Sequence, residues 1–370
     1  MRKHGHCDSC GNSFPQEELT PLGSSNLCGD CLDSATTFCT HCGERIFWDE
    51  NAGSRDTPLC QSCYERYYTE CSQCGAMIRQ YAAYFWNDED GPLCHNCYTN
   101  ISQTRAIHDY SYQPAPVFHG DGPRYFGVEL EIDEAGEDND NARELLDIAN
   151  RSEENLYAKH DGSLEDGLEL VSHPMTLDYH KNGMPWAAVL GQAIRLGYQS
   201  HKTRTCGLHV HISRAAFGET ASQQDAAIAR LLFFFEKHWN ELLLFSRRTP
   251  KQLEHWAARY GYKERPRDIL DHAKKGGNSG RYSCINLQNI ETIEVRIFRG
   301  TLKYNTLIAT LELLDRLCDL AIYCSDEEVK AIPWSSFVAG IPADTCPELV
   351  LYLKERRLYV NEPLETEADE

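Results

Sequence analysis

Residues 125–133 read YFGVELEID, and on a strand successive side chains point to opposite sides. Phe126, Val128, Leu130 and Ile132 therefore share one face, while Glu129, Glu131 and Asp133 share the other. Three further stretches obey the same alternation. In CGLHVHIS (206–213), Leu208, Val210 and Ile212 oppose His209, His211 and Ser213. In TIEVRIF (292–298), Ile293, Val295 and Ile297 oppose Glu294 and Arg296, and in GLELVSHP (167–174), Glu169 opposes Leu168 and Leu170. The apolar faces need helices to cover them, which leaves carboxylates, imidazoles and a guanidinium together on the opposite surface.

Working outward, the patterns predict strands at 125–133, 156–159, 167–172, 207–213, 282–287 and 292–298. Helices are expected near 139–150 and at 184–197, 223–246 and 304–324. This order lacks the regular βαβ spacing of a doubly wound sheet, so the expected class is α+β with an antiparallel sheet. The greasiest segment, AAIARLLFFFEKHWNELLLFS, carries Arg230, Glu236, Lys237 and Glu241 and reads as a buried helix rather than a membrane span. MRKHGHCDSCG lacks the apolar core of a secretory signal, so the expectation is a cytoplasmic chain with reduced thiols.

The 370 residues suffice for one large domain plus something small, and 12 of the 17 cysteines precede residue 98. They form a repeat: Cys7/Cys10, Cys39/Cys42 and Cys71/Cys74 start at intervals of 32 residues, each pair followed by a second CxxC at Cys28/Cys31, Cys60/Cys63 or Cys94/Cys97. Leu27, Leu59 and Leu93 precede the second knuckles, and Gly11, Gly43 and Gly75 follow the first. Four thiolates make a tetrahedral Zn(II) site, and some 30 residues cannot bury enough core to fold without such a staple. Three structural Zn2+ sites are expected, over about 5–34, 37–66 and 69–98; the period favours one metal per repeat, with cross-braced pairing left open. In spacing the repeats resemble zinc ribbons or half-LIM modules.

Residues 1–100 hold 14 Asp and Glu against 6 Lys and Arg, the wrong balance for neutralising phosphates, so a protein partner or substrate is expected rather than nucleic acid, with a structural appendage that has no partner left open. Residues 99–123 read as a linker, 124–360 as the catalytic domain, and 361–370 as an acidic disordered tail. Cys206, Cys284, Cys318, Cys324 and Cys346 read as small core residues.

FGVELEID, KHDGSLEDGLELVSHP, CGLHVHIS and IEVRIFRGT, in this order, resemble the amidoligase family of carboxylate-amine ligases, related to glutamine synthetase and glutamate-cysteine ligase. The similarity spans about 125–325. It implies a glutamine synthetase-like antiparallel sheet curved into a half-barrel, and a reaction in which ATP converts an acid to an acyl phosphate that an amine then attacks. Phosphoryl transfer needs divalent cations and cationic side chains, and Mg2+ prefers oxygen ligands. By resemblance, Glu131 and Glu169 would hold one Mg2+, and Glu129, His209 and Glu294 a second. His211 and Ser213 would contact the nucleotide, Arg296 would neutralise the transferring phosphate, and Asp161 and Ser163 would meet the acyl substrate. Strict alternation puts Arg299 on the apolar side, so its catalytic use requires the strand to end or bulge at Phe298.

The basic segment 259–281, with Lys274, Lys275 and Arg281 around GGNSG, reads either as a mobile cover over ATP or as a solvated loop. Two other function classes stay open: a zinc-dependent hydrolase built on His209 and His211, and a non-catalytic protein-binding scaffold. The acid and amine could be protein, peptide or metabolite, and oligomeric state is not legible.

Overall fold

The computed structural model describes residues 3–85, 91–275 and 282–359. Arg281, the GGNSG run and the acidic tail lie outside the described residues. The chain divides into two compact units, Met1–Thr104 and Arg105–Glu370.

In the first unit each opening knuckle sits in a short antiparallel hairpin: His4–His6 with Ser13–Pro15, Thr36–Phe38 with Arg45–Phe47, and Tyr68–Glu70 with Met77–Arg79. The tight reversal needs left-handed backbone, which Gly11, Gly43 and Gly75 supply at φ 74°, 78° and 69°. Helices start on the second knuckles, with Cys28 and Cys60 as N-caps of Gly29–Ala35 and Gln61–Tyr67. Both helices pass straight into the next repeat's hairpin at Thr36 and Tyr68, which fixes the 32-residue period. Their cores are small. Leu59, for example, is buried with Ile46, Tyr68 and three cysteines.

The second unit is built on a seven-stranded sheet: β1 (Ile107–His108), β2 (Phe126–Ile132), β3 (Leu156–Lys159), β4 (Leu168–Ser172), β5 (Gly207–Ser213), β6 (Ile285–Asn286) and β7 (Thr292–Arg299). Their order is β6-β7-β5-β2-β4-β3-β1. Every pairing is antiparallel except β1 with β3, so the mixed helix-and-sheet class follows the alternation patterns. The apolar face (Val128, Leu130, Leu170, Val210, Val295) shares one core with residues of α1 (Ala221–Lys237) and α4 (Tyr304–Tyr323), including Ile228, Phe235, Leu307 and Leu311.

Several expectations need correction. The helix expected at 223–246 is two, α1 and α2 (Trp239–Ser246), because His238 leaves helical geometry at φ −108°, ψ 33° and its buried ring meets the Ile332 carbonyl. The strand expected at 282–287 shrinks to β6. The stretch read as a linker supplies β1, whose parallel register on β3 sets Ile107 opposite Ala158; its two-residue length gave no readable alternation. The basic segment is no open loop over its described part. Residues Pro266–Lys275 form α3, which buries Ile269, Leu270 and Ala273, and Lys274 is paired with Asp225 at 2.7 Å.

The β5–β7 register shifts between Leu208 and Val210: Val295 faces Val210, yet Phe298 faces Leu208. The extra β7 residue reverses the alternation, so Arg299 pairs with Gly207, in phase with His209 and His211. The irregularity thus precedes Phe298.

Candidate active site

Register assembles the polar face. Glu129 lies opposite His209, Glu131 opposite Glu169, Lys159 opposite Glu169, and His211 opposite Glu294. Two carboxylates directly opposite one another repel, and both Glu131 and Glu169 are buried. Burial raises the Glu169 carboxyl well above the usual range, and neighbouring Glu129 and Glu131 push it the same way. Glu131 is also raised by burial. Glu129 goes the other way: burial opposes ionisation, but His211 and His209 hold its carboxyl well below the usual range.

Glu129, Glu169 and His209 offer ligand atoms within 4.8 Å of one another, as do Glu129, His211 and Glu294. His209 Nδ1 is buried without a hydrogen-bond partner, 3.4 Å from Glu129 Oε2 and 3.8 Å from Glu294 Oε1. Donors that converge without satisfying one another fit a cation, and three carboxylates with one imidazole suit a divalent one. Glu169 has ligand atoms close to those of Glu129 and His209 and lies opposite Glu131 in the sheet. The Glu131 carboxylate accepts the Gly207 N–H. His211 is hydrogen-bonded at both nitrogens, to Glu129 and to Thr292 Oγ1, each at 3.0 Å. In this arrangement it holds Glu129 in place. Asn286 donates to Glu294 at 2.9 Å, and Arg296 pairs with the other oxygen of that carboxylate.

Two cavities open on this face and share Tyr110, Asp161, His209 and Arg296. The one of about 560 Å³ contains the converging groups Glu129, Glu169, His209 and Glu294, with His211 and Lys159 also in its lining. The one of about 420 Å³ contains Glu131, His160, Gly162, Ser163, Thr205, Arg248 and Trp256. The Asp161–Ser163 turn, closed by the Ser163 N–H donating to Asp161 Oδ1 at 2.7 Å, lines this smaller cavity.

Other expected residues fall elsewhere. Ser213 ends β5, its hydroxyl accepting the Tyr125 N–H at 3.5 Å, and it lines neither cavity. Lys274 and Lys275 line neither cavity either, and Arg299 donates to the Thr203 carbonyl.

Sequence reasoning missed Arg248, Tyr110, His160, Thr205 and Trp256. Arg248 is 7% exposed and lines the smaller cavity. Arg247, left-handed at φ 61°, ends α2 and turns the chain inward, and Arg248 Nε donates to the Phe298 carbonyl at 3.2 Å. Among the described residues no carboxylate lies within ion-pairing distance of Arg248. A Cβ on Gly207 would lie 2.5 Å from Arg248 Nη2 and 2.7 Å from His209 Nε2, so a side chain there would displace both groups. No periodicity marks Arg248; the double Arg after an apolar helix was the available signal.

In the first unit the twelve cysteines form three groups, each drawn from one repeat, that could hold zinc. The Sγ separations Cys10–Cys28, Cys42–Cys60 and Cys74–Cys94 are 4.0, 3.8 and 3.8 Å. The edge of a tetrahedron with Zn–S of about 2.3 Å is about 3.8 Å. Backbone N–H groups of Cys10 and Cys28 lower the Cys7 thiol to about 6, while Cys74 and Cys94 hold Cys97 up to about 12. Four such thiols do not ionise together without a cation.

The second unit is thus a mixed sheet on whose polar face Glu129, Glu169, Glu294 and His209 converge, with buried Arg248 in the adjoining cavity. Residues 145–318 match the family described as "Putative amidoligase enzyme". The match contains Glu169, His209, Arg248 and Glu294, whereas β2 and the cysteine repeats lie outside it. No curated protein matches the chain. Among solved structures, the crystal structure of the complex between prokaryotic ubiquitin-like protein Pup and its ligase PafA matches at 9% identity with a TM-score of 0.29, covering 65% of this chain. The match spans 59% of that structure's chain. Among the described residues no helix is long and apolar enough to cross a membrane.

Proposed function

We propose that the second unit is an ATP-dependent carboxylate-amine ligase that forms an amide bond through an acyl phosphate and releases ADP. One observation carries the reading: Glu129, Glu169, Glu294 and His209 crowd one buried sheet face, inside a cavity that shares Arg296 with a second cavity holding Arg248. Glu129, Glu169 and His209 would hold one Mg2+, and Glu294 with the other edge of Glu129 a second. Mg2+ supplies charge neutralisation across the ATP phosphates.

The chain's own groups divide the remaining work. Arg296, at the junction of the two cavities, would meet the phosphoryl group as negative charge develops there. Arg248 would hold an anionic group of the acid, with the Asp161–Ser163 turn fixing its position. A curved, glutamine synthetase-like arrangement of the sheet would bring the nucleotide and acid together over Arg296. The acidic cysteine repeats, with zinc bound, would recruit a protein partner or substrate. The hydrolase reading is weaker, because His211 has both ring nitrogens engaged and offers no free lone pair to a zinc shared with His209.

The test is hydroxylamine trapping: the protein with MgATP and candidate acids (L-glutamate, succinate, a peptide ending in glutamate) is assayed for hydroxamate and ADP. Acid-dependent, stoichiometric formation of both, lost in Glu169→Gln, supports the ligase. Hydrolysis of ester or peptide substrates without ATP would reject it.

A further inference from the structure

His160 closes β3 immediately before the Asp161–Ser163 turn. Its backbone N–H donates to the His108 carbonyl at 2.8 Å, so β1, the short edge strand, fixes its position. Its Nδ1 lies 2.5 Å from Glu137 Oε2. Glu137 sits in a pinned loop: Gly136 N–H donates to the Asp166 carbonyl at 2.9 Å, and Asp138 caps the helix Asn139–Ala149 by accepting from the N–H groups of Asp140 and Asn141. A carboxylate accepts hydrogen bonds, so this contact selects the ring tautomer with its proton on Nδ1, the form whose Nε2 carries the lone pair. His160 lines the smaller cavity, whose lining also includes Glu131, Asp161 and Arg248. Nε2 stands 3.7 Å from where a Gly162 Cβ would be, so the absent side chain keeps its approach open.

We propose that His160, oriented by Glu137, is the general base that takes the proton from the incoming amine. The proposal rests on the ligase reading and adds the group that makes the nucleophile. An alkylammonium has no lone pair and cannot attack. Loss of one proton from R–NH3+ to Nε2 frees the pair, which forms the C–N bond to the acyl carbon. The C–O bond to phosphorus then breaks with its electrons leaving on phosphate, and the second N–H proton passes to that phosphate. Asp161 is the rival base in the same cavity, but its Oδ1 already closes its own turn with the Ser163 N–H. Glu137 is a positioning residue, since it acts only through the ring.

Hydroxylamine separates this role from a structural one, because it is largely unprotonated at neutral pH, whereas the amine of Nα-acetyl-lysine is protonated. His160→Gln should lower the ratio of amide to hydroxamate formed with MgATP and L-glutamate or succinate by at least about tenfold, general bases contributing about 10²–10⁴-fold. Equal loss of both products, or a selective loss in Asp161→Asn but not in His160→Gln, overturns the assignment. Nitrogen-15 NMR of histidine-labelled protein reads the tautomer directly. The Nδ1–H form is expected in the wild type, with a shift toward mixed tautomers in Glu137→Ala, and an Nε2–H form in the wild type overturns the proposal without reference to substrate. If the wild type makes neither hydroxamate nor ADP with any acid, the ligase reading falls and the base role with it. Hydroxamate formation without amine selectivity removes only His160.

Discussion

Both units crowd groups that repel one another, but they do so by opposite routes. In the first, each set of four thiols comes from a single segment of about 25 residues, and short turns and a helix start suffice to converge it. In the second, Glu129, Glu169, His209 and Glu294 come from four strands spread over 166 positions, and only the register of the sheet makes them neighbours. A locally encoded site needs its metal in order to fold. A register-encoded site is held by a core elsewhere, so it keeps its repulsion in the absence of the ion.

Zinc removal should break this contrast most sharply. Chelation, or Cys39→Ser together with Cys60→Ser, should unfold the affected repeat, since structural zinc contributes on the order of 10 kcal/mol to such modules. Circular dichroism and limited proteolysis should show the 105–370 unit still folded. Simultaneous loss of both units would refute the claim that only one depends on its metal. The converse lesion attacks the register. A Cβ on Gly167 would lie 2.0 Å from the Ile132 carbonyl oxygen and 2.6 Å from Asp133 Cα, backbone atoms that cannot swing aside. Gly167→Ala should therefore destabilise the second unit by about 3 kcal/mol, read by urea denaturation, and leave the zinc content at three per chain.

The same contrast explains what the sequence disclosed. CxxC spacing is a local signal, so the cysteine groups were legible residue by residue. Strand alternation is also local, and it identified the polar face of β2, β4, β5 and β7. Which carboxylate meets which imidazole depends on register, which no single strand's alternation discloses: Glu169 lies opposite Glu131 and also has ligand atoms close to Glu129 and His209. Arg299 shows the same limit, because the irregularity that reverses its side belongs to the pairing of β5 with β7. Arg248, Tyr110 and His160 reach the cavity through a left-handed helix end, a two-residue edge strand and a loop contact, none of which has a period to detect. The basic segment misled for a related reason: its lysine and arginine side chains advertise charge, while Ile269, Leu270 and Ala273 decide that it packs as a helix.

Arg248 offers a sharper probe of the register-built site, because its removal should leave the cation cradle untouched. Arg248→Gln is expected to weaken acid binding by about 2 kcal/mol, roughly thirtyfold in KM for the acid, the usual worth of a charge-assisted hydrogen bond. The KM for MgATP should stay within about twofold. An equal rise in both constants would mean that Arg248 supports the whole cleft and not the acid alone.

The mildest test asks whether every buried carboxylate in the second unit seeks a cation. Glu312 is fully buried in α4, paired with Lys181 through one oxygen, while its other oxygen accepts the Leu349 N–H at 2.7 Å. Burial raises its carboxyl to about 7. A carboxyl raised on folding favours the protonated native state, so its contribution is fullest below the unfolded value, near 4.3. It is lost as pH rises toward 7. Glu312→Gln should flatten that decline, making the variant's melting temperature fall less between pH 5 and pH 8, by about 3 °C or roughly 1 kcal/mol. Magnesium should not alter this difference, because Lys181 already compensates the charge, whereas among the described residues the Glu169 carboxylate is ion-paired only to a lysine amine 3.9 Å away. A magnesium-dependent shift at Glu312 would show that carboxylate crowding alone, without convergent imidazole, suffices to bind the ion.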